Sequence, residues 1–175
     1  MSGEKGYLIV FTGNGKGKTT AALGMAMRAA GHGMRTLILQ FIKGTWAYGE
    51  LESFEKIEEI KIKPLGSGFT WKKKGLDEDR RLAEAGWEEA VSEMRRGYYD
   101  LIVLDELNVV LSHGLLSRDA VLEALQNRPP GLCIVVTGRG APAELVEIAD
   151  LVTEMKEIKH PFGDQGLKAR KGIEF

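Results

Sequence analysis

The sequence predicts an α/β fold: a doubly wound, mainly parallel sheet with helices on both faces, in a single domain over residues 1–175. One basis is a series of near-continuous apolar runs that alternate with helical patterns, because such runs are typical of parallel strands buried on both faces. Another is a glycine-rich loop between the first apolar run and the first helix. A chain of 175 residues is long enough to form one domain with a sizeable core.

Six strands and six helices are predicted in alternation. The strands are expected at about 7–12, 35–41, 60–63, 101–104, 132–137 and 151–155. The first helix is expected to follow the glycine loop and end near 30, and three more are expected at about 51–56, 77–96 and 118–126. A short helix should start near 105–106, and the last should run from Pro142 to about 149. In such folds the ligand lies outside the carboxyl ends of the strands, which is where most of the unusual residues fall.

Composition limits the partners and the location. The net charge of −1 provides no overall field that would attract nucleic acid, so we expect no nucleic-acid partner. No apolar run approaches the roughly 18–20 residues of a membrane-spanning helix, and residues 1–6 leave no room for a signal peptide, so we expect a cytoplasmic protein with no membrane partner. The single cysteine, Cys133, excludes an intramolecular disulfide and a cysteine zinc cluster.

The loop at residues 12–20 indicates a polyphosphate site. Its glycines allow successive backbone N–H groups to turn toward one anion, and the N-terminus of the next helix adds about half a positive charge. Lys18 can reach the phosphates and Thr19 can ligate Mg²⁺, while Lys16 either neutralises charge or faces solvent. The usual pattern begins with glycine, whereas here Thr12 occupies that position.

Charged residues follow two later strands. Asp105 and Glu106 end an apolar run, and one of these carboxylates can hold Mg²⁺ directly or through water. The alternative is that Asp105 caps the following helix, and in an ATPase the second carboxylate could instead orient a water molecule. Arg139 stands between two glycines after the fifth strand, placed to clamp phosphate or else lying in an ordinary surface turn.

Two aromatic residues, Phe69 and Trp71, lie in a glycine-rich polar loop that no regular element explains. Trp87, by contrast, repeats at helical spacing with other apolar residues, which predicts a place in the core. The three histidines show no metal-ligand spacing.

Together these segments resemble the P-loop type of ATP:corrinoid adenosyltransferase. The resemblance covers nearly the whole chain in family order, and its segments are jointly very specific although several are individually weak. The matching segments are 11–22, 40–44 with Trp46, Gly49 and Glu50, 68–71, 104–108, 137–142, 159–162 and 172–175.

The resemblance implies a P-loop NTPase (RecA-like) fold with strand order 3-2-4-5-1-6. It implies an enzyme that transfers the 5′-deoxyadenosyl group of ATP to cob(I)alamin or a related Co(I) corrinoid and releases triphosphate. It also implies a homodimer and an electron-donating flavoprotein reductase as a partner.

The motif match assigns residues to these roles. Thr19 and Glu106 would hold Mg²⁺, with Asp105 a further candidate ligand, and Phe69 and Trp71 would lie against the corrin. Lys18, Thr19 and Glu106 are the expected catalytic residues. The expected ATP- and triphosphate-binding residues are Gly13, Asn14, Gly15, Lys16, Gly17, Lys18, Thr19, Thr20 and Arg139.

The reaction implied by the resemblance places the attack at the adenosine end of ATP, so we predict that ATP lies reversed along the loop relative to ordinary P-loop enzymes. A P-loop ATPase or small-molecule kinase is the main alternative, and it explains the glycine loop and the acidic pair but not Phe69 and Trp71. A non-catalytic nucleotide-binding or corrinoid-delivery module is a second alternative.

Overall fold

Six short strands, all paired in parallel, form the sheet on which the rest of the structure is built. A computed structural model describes residues 5–44, 48–66, 68, 76–160, 166 and 169–173. The strands are β1 (Leu8–Thr12), β2 (Thr36–Gln40), β3 (Ile60–Pro64), β4 (Leu101–Asp105), β5 (Cys133–Thr137) and β6 (Leu151–Glu154).

The predicted helices are all present, with small shifts at their ends. They are α1 (Lys18–Ala30), α2 (Gly49–Phe54), α3 (Leu76–Arg96), α4 (Leu107–Ser112), α5 (Arg118–Gln126) and α6 (Ala143–Ile148). Pro142 precedes α6 with a φ of −58° and does not lie within its first turn as expected. Asp105 is the last residue of β4 and Glu106 precedes α4, so the capping alternative for Asp105 is wrong.

The strand order is β3-β2-β4-β5-β1-β6, which confirms the order that the family resemblance implies. The register places the carboxyl-terminal parts of neighbouring strands side by side: Gln40 pairs with Asp105, and Phe11 pairs with Thr137. Because all strands run the same way, the residues that follow β1, β2, β4 and β5 meet along one edge of the sheet.

The side chains of alternate residues along the central strands point to opposite faces of the sheet and pack into two separate hydrophobic cores. Leu8 and Val10 face the side that holds α3, α4, α5 and α6, whereas Ile9 and Phe11 face the side that holds α1 and α2. This double burial explains why the central strands read as continuous apolar runs. Trp87 is partly buried against the first core, as its spacing predicted, and Cys133 is partly buried against the second.

Helix α1 packs closely on the sheet because its inward face is made of small residues. Ala22, Ala26 and Ala29 are buried at helical spacing and contact the second core. This close packing fixes the N-terminus of α1 at the carboxyl edge of the sheet, beside the end of β4. No helix in the described part of the chain is both long and apolar enough to cross a membrane.

Candidate active site at the carboxyl ends of the strands

The glycine loop between β1 and α1 closes around the ammonium group of Lys18. Lys18 is only 8% exposed, and its Nζ donates hydrogen bonds to the carbonyl oxygens of Gly13 at 2.8 Å and Gly15 at 2.6 Å. Gly17 makes the turn from the loop into α1 with a left-handed φ of 109°. The lysine is therefore held at a helix N-terminus, where backbone N–H groups and the helix dipole favour an anion.

The segment that follows β6 packs against the back of this loop. The Gly15 N–H donates to the Met155 carbonyl oxygen at 2.6 Å, and the Met155 N–H donates to the Thr12 carbonyl oxygen at 2.8 Å. A Cβ at Gly15 would lie 2.8 Å from the Lys156 carbonyl carbon, closer than real Cβ atoms approach other atoms. Residue 15 must therefore be glycine, and its N–H is engaged by Met155.

The carboxylate of Asp105 is fully buried and receives three hydrogen bonds. The hydroxyls of Thr19 and Thr137 both donate to its Oδ1, at 2.8 and 2.7 Å, and the Gln40 Nε2 donates to its Oδ2 at 3.2 Å. These partners come from α1, β5 and β2, so the carboxylate ties the first turn of α1 to the ends of three strands. Thr19 and Asp105, two of the residues predicted to hold Mg²⁺, are therefore in direct contact, and their role toward a metal stays a prediction.

Glu106 has a backbone conformation that is rare for its residue type. Its φ is 65°, and it is the one non-glycine residue with a positive φ in the part of the chain that the structure describes. Such a conformation costs about 1–3 kcal/mol and is typical of functional positions. The Glu106 N–H donates to the Thr137 Oγ1 at 2.9 Å, which fixes the strained residue at the end of β4.

Burial and charge shift two ionisable groups beside the loop. Burial raises the pKa of Glu106 above its ordinary value of 4.5, Asp105 adds to this shift, and Lys18, Lys43 and Arg139 oppose it. Burial also lowers the pKa of Lys18 from 10.5, an effect that the Glu106 carboxylate opposes. Both shifts reflect a poorly hydrated site, where contacts between cations and phosphate are stronger than in water.

Arg139 lies at the tip of a turn that leads from β5 toward α6. The turn is anchored at Gly138, whose N–H donates to the Phe11 carbonyl oxygen at 3.2 Å and whose own carbonyl oxygen accepts from the buried Asn108 Nδ2 at 3.1 Å. Gly138 has a φ of 125°, which disfavours any other residue. The Arg139 side chain is exposed at the cavity described next.

A cavity of about 560 Å³ lies outside the carboxyl ends of the strands. It brings together six of the predicted site residues: Asn14, Gly15, Lys16, Lys18, Glu106 and Arg139. One wall comes from α4 and the residue after it, through Val109, Ser112 and His113. Thr19 and Asp105 do not line this cavity. Each is adjacent in sequence to a residue that does, Lys18 and Glu106 respectively, and the two are hydrogen-bonded to each other.

A second cavity, of about 550 Å³, opens near the amino ends of the strands. Its lining includes Arg35 and Tyr98, and the Arg35 guanidinium lies 4.4 Å from the centre of the Tyr98 ring. None of the predicted site residues borders it. The convergence of predicted residues therefore identifies the cavity at the carboxyl ends as the candidate active site.

Comparison with known proteins agrees with this geometry. Residues 4–175 match the model of the family described as ATP:corrinoid adenosyltransferase BtuR/CobO/CobP. The chain belongs to this family. Membership makes the protein a transferase, and the family description names ATP and a corrinoid.

Several curated relatives carry the same description. A corrinoid adenosyltransferase of Pseudomonas aeruginosa is 47% identical over 173 residues, which cover 98% of this chain and 85% of that relative. Corrinoid adenosyltransferases of Escherichia coli K12 and Salmonella typhimurium are each 40% identical over 172 residues, covering 98% of this chain and 87% of each relative.

A solved structure with a related fold is a KaiC-like protein of the archaeon Pyrococcus horikoshii. It has a TM-score of 0.52 at 18% identity, and the match covers 89% of this chain and 75% of the archaeal one. Identity this low shows the fold alone, and it agrees with the RecA-like fold of this adenosyltransferase family member.

The oxygen donors of this adenosyltransferase suit Mg²⁺. Thr19, Asp105 and Glu106 offer a hydroxyl and two carboxylates, which are the hard ligands that Mg²⁺ prefers. In the described residues no group of three His, Cys, Asp or Glu side chains converges as a metal cage.

Sequence reasoning missed the polar residues that hold the acidic pair in place. Gln40 and Thr137 are fully buried at the ends of β2 and β5 and bind Asp105, and Asn108 is fully buried beside Gly138. All three lay within segments that resemble the family, but none was given a role. A polar residue that ends an otherwise apolar buried strand is the signal that could have identified Gln40 and Thr137.

The loop after β2 contributes a second charged pair near the site. Lys43 and Glu50 form an ion pair with both side chains less than one-fifth exposed, and Lys43 also lies 4.7 Å from the centre of the Tyr48 ring. Burial alone would raise the pKa of Glu50, but hydrogen bonds led by the one from Lys43 lower it below 4.5. The Lys43 charge also acts on Glu106, which links this loop electrostatically to the site.

Two predicted residues, Phe69 and Trp71, lie outside the described residues. Their assignment to the corrinoid stays a prediction. Thr20 is exposed in the first turn of α1, beside the loop in which it was predicted to act.

Proposed function

We propose that the protein transfers the 5′-deoxyadenosyl group of ATP to the Co(I) ion of cobalamin or a related corrinoid, with inorganic triphosphate as the leaving group. The observation that carries the proposal is the cavity in which Lys16, Lys18 and Arg139 converge with Glu106 at the glycine loop, in a chain of the adenosyltransferase family. Three cations around one space suit an anion as highly charged as triphosphate.

The loop and its cations would stabilise the leaving group. As the bond from C5′ to oxygen breaks, negative charge grows on the triphosphate, and preorganised cations and N–H groups lower the barrier most where charge develops. Lys18 would leave the carbonyl oxygens of Gly13 and Gly15 to bind phosphate oxygen. Asn14, Gly17 and Thr20 would complete the cradle around the N-terminus of α1.

Mg²⁺ would be held by Thr19 and Glu106, with Asp105 as a further ligand or as the acceptor that orients the Thr19 hydroxyl. The Thr19 hydroxyl already donates its proton to Asp105 at 2.8 Å, which leaves an oxygen lone pair for a cation. When bound, Mg²⁺ would neutralise part of the triphosphate charge. It would also remove the charge repulsion between Asp105 and Glu106.

The chemical step requires neither a protein nucleophile nor a general base. Co(I) supplies the electron pair of the new Co–C bond and is oxidised to Co(III), while the electron pair of the broken C5′–O bond leaves with triphosphate. No proton departs from the attacking atom, so the protein aligns cobalt with C5′ and holds the leaving group. Because the attack is at C5′, we propose that ATP lies reversed along the loop, with its adenosine end presented to the corrinoid.

Further parts of the proposal concern the corrinoid and the partners. Phe69 and Trp71 would lie against the corrin, where apolar rings exclude a lower axial ligand and make Co(II) easier to reduce. The electron would come from a flavoprotein reductase. We also propose a cytoplasmic homodimer, as the family resemblance implies.

Dependence on reduced corrinoid tests the proposal against a P-loop ATPase or kinase. Under anaerobic conditions with ATP and Mg²⁺, chemically reduced cobalamin should acquire the visible spectrum of a Co–C bond as ATP is consumed. Oxidised cobalamin is the control and should leave ATP intact. ATP consumption that proceeds equally without reduced corrinoid would overturn the proposal.

A further inference from the structure

Thr12 occupies the position where the usual phosphate-loop pattern has its first glycine, and its side chain bonds to another part of the site. The Thr12 Oγ1 accepts a hydrogen bond from the Ala141 N–H at 3.2 Å. The two residues are 129 positions apart in sequence. Ala141 directly follows Arg139 and Gly140, the exposed tip of the turn after β5. A glycine at position 12 could not make this bond.

The turn is thereby anchored on both sides of its tip. Before the tip, the Gly138 N–H donates to the Phe11 carbonyl oxygen at 3.2 Å, and the Gly138 carbonyl oxygen accepts from Asn108. After the tip, the anchor is the Thr12 hydroxyl. Both anchors on the β1 side come from consecutive residues, Phe11 and Thr12, at the base of the glycine loop.

The backbone of Thr12 has a separate task. Its carbonyl oxygen accepts from the Met155 N–H at 2.8 Å, which holds the segment after β6 against the loop. That bond survives any substitution except one that disturbs the strand itself. The Thr12 side chain therefore holds the turn that carries Arg139, and the Thr12 main chain holds the segment after β6.

We infer that Thr12 is a positioning residue, whose hydroxyl fixes the turn that carries Arg139 so that the arginine faces the same triphosphate as Lys18. Arg139 and Lys18 line one cavity, and the Arg139 charge acts on both Lys18 and Glu106. Threonine also suits the end of a strand, because its branched side chain favours extended backbone. The inference rests on the proposed function only in that this site binds triphosphate.

Thr12→Val tests the inference because valine keeps the branched shape and removes the hydrogen-bond acceptor. We expect calorimetry with inorganic triphosphate and Mg²⁺ to show affinity reduced by about 3- to 10-fold, the range for loss of one hydrogen bond. Thr12→Ser keeps the hydroxyl and should bind close to wild type, whereas Thr12→Gly should resemble Thr12→Val or bind more weakly. Thermal melting of each variant checks that it is folded.

Arg139→Ala separates a positioning role from a general structural one. If Thr12 acts through Arg139, adding Thr12→Val to Arg139→Ala should cause little further loss of triphosphate affinity, because the two effects are coupled. Equal losses in the presence and absence of Arg139 would overturn the inference, as would a Thr12→Val variant that binds like wild type.

Hydrogen exchange keeps the inference testable without any ligand. The Ala141 amide should exchange faster in Thr12→Val than in wild type and Thr12→Ser, because its acceptor has been removed. An unchanged exchange rate would overturn the anchor whatever the affinities are. Failure of wild type to bind triphosphate would instead overturn the proposed function, and the exchange rate would still decide the anchor.

Discussion

Glu106 combines a rare backbone conformation with an unfavourable electrostatic environment. Its backbone is left-handed, with a φ of 65°, and its side chain is partly buried next to a second carboxylate, the fully buried Asp105. Neither property stabilises the fold. Both properties are consistent with the proposed role in binding Mg²⁺, which would supply positive charge beside the two carboxylates.

Glu106→Gln should therefore make the ligand-free protein more stable at neutral pH. Because the pKa of Glu106 is raised in the folded state, its contribution to stability is fully present below the ordinary value of 4.5 and is lost as the pH rises through the folded-state pKa. Glutamine stays neutral and avoids that loss. Melting temperatures measured from acid to neutral pH should diverge in favour of the variant as the pH rises.

The control for this prediction is Glu123→Gln, which neutralises an exposed carboxylate on α5. It should leave the melting temperature nearly unchanged at every pH. Adenosyl transfer should fall in Glu106→Gln and not in the control. A Glu106→Gln variant that is less stable than wild type at neutral pH would contradict the account of this residue.

At the scale of secondary structure, the sequence predicted the elements well and their polar contacts poorly. The strands follow from buried apolar runs, and helix α5 was predicted at its observed bounds, 118–126. Two of the three donors to Asp105, Gln40 and Thr137, come from neighbouring strands, and the sheet register pairs Gln40 with Asp105 across 65 residues. Local patterns carry no register, so contacts between separate strands could not be deduced from them.

The turn between β5 and α6 shows how tightly two elements meet at the site. Gly138 combines a φ of 125° with close neighbours: a Cβ there would lie 3.0 Å from the Asn108 Cβ, 3.1 Å from the Val109 nitrogen and 3.2 Å from the Glu106 Oε2. Both the conformation and the crowding disfavour a side chain at this position. The neighbours belong to α4 and to the acidic pair.

Gly138→Ala should consequently destabilise the fold by about 1–3 kcal/mol and weaken triphosphate binding, because α4 and Glu106 must shift to admit the methyl group. Chemical denaturation and calorimetry measure the two effects. The matched control is Gly114→Ala, where φ is 64° but no atom lies within 4 Å of the added Cβ. It should lose some stability through backbone strain and keep wild-type affinity, and equal affinity losses in both variants would refute the crowding argument.

For the whole molecule, the predicted α/β architecture is confirmed down to the strand order, although that order came from the family resemblance and not from periodicity. The fold places the phosphate loop, the acidic pair and the arginine turn at one edge because these segments follow parallel strands. The cavity they border also has the α4 wall of Val109, Ser112 and His113, which no motif indicated. Phe69 and Trp71 stay predictions.

The central claim is that this edge of the sheet holds triphosphate as a leaving group while a Co–C bond forms. Phosphorus NMR of the products, combined with visible spectroscopy of the corrinoid under anaerobic conditions, tests it most directly. The account predicts one intact triphosphate for every Co–C bond formed, and no triphosphate when reduced corrinoid is left out. ADP with phosphate, or diphosphate with no matching triphosphate, would contradict it.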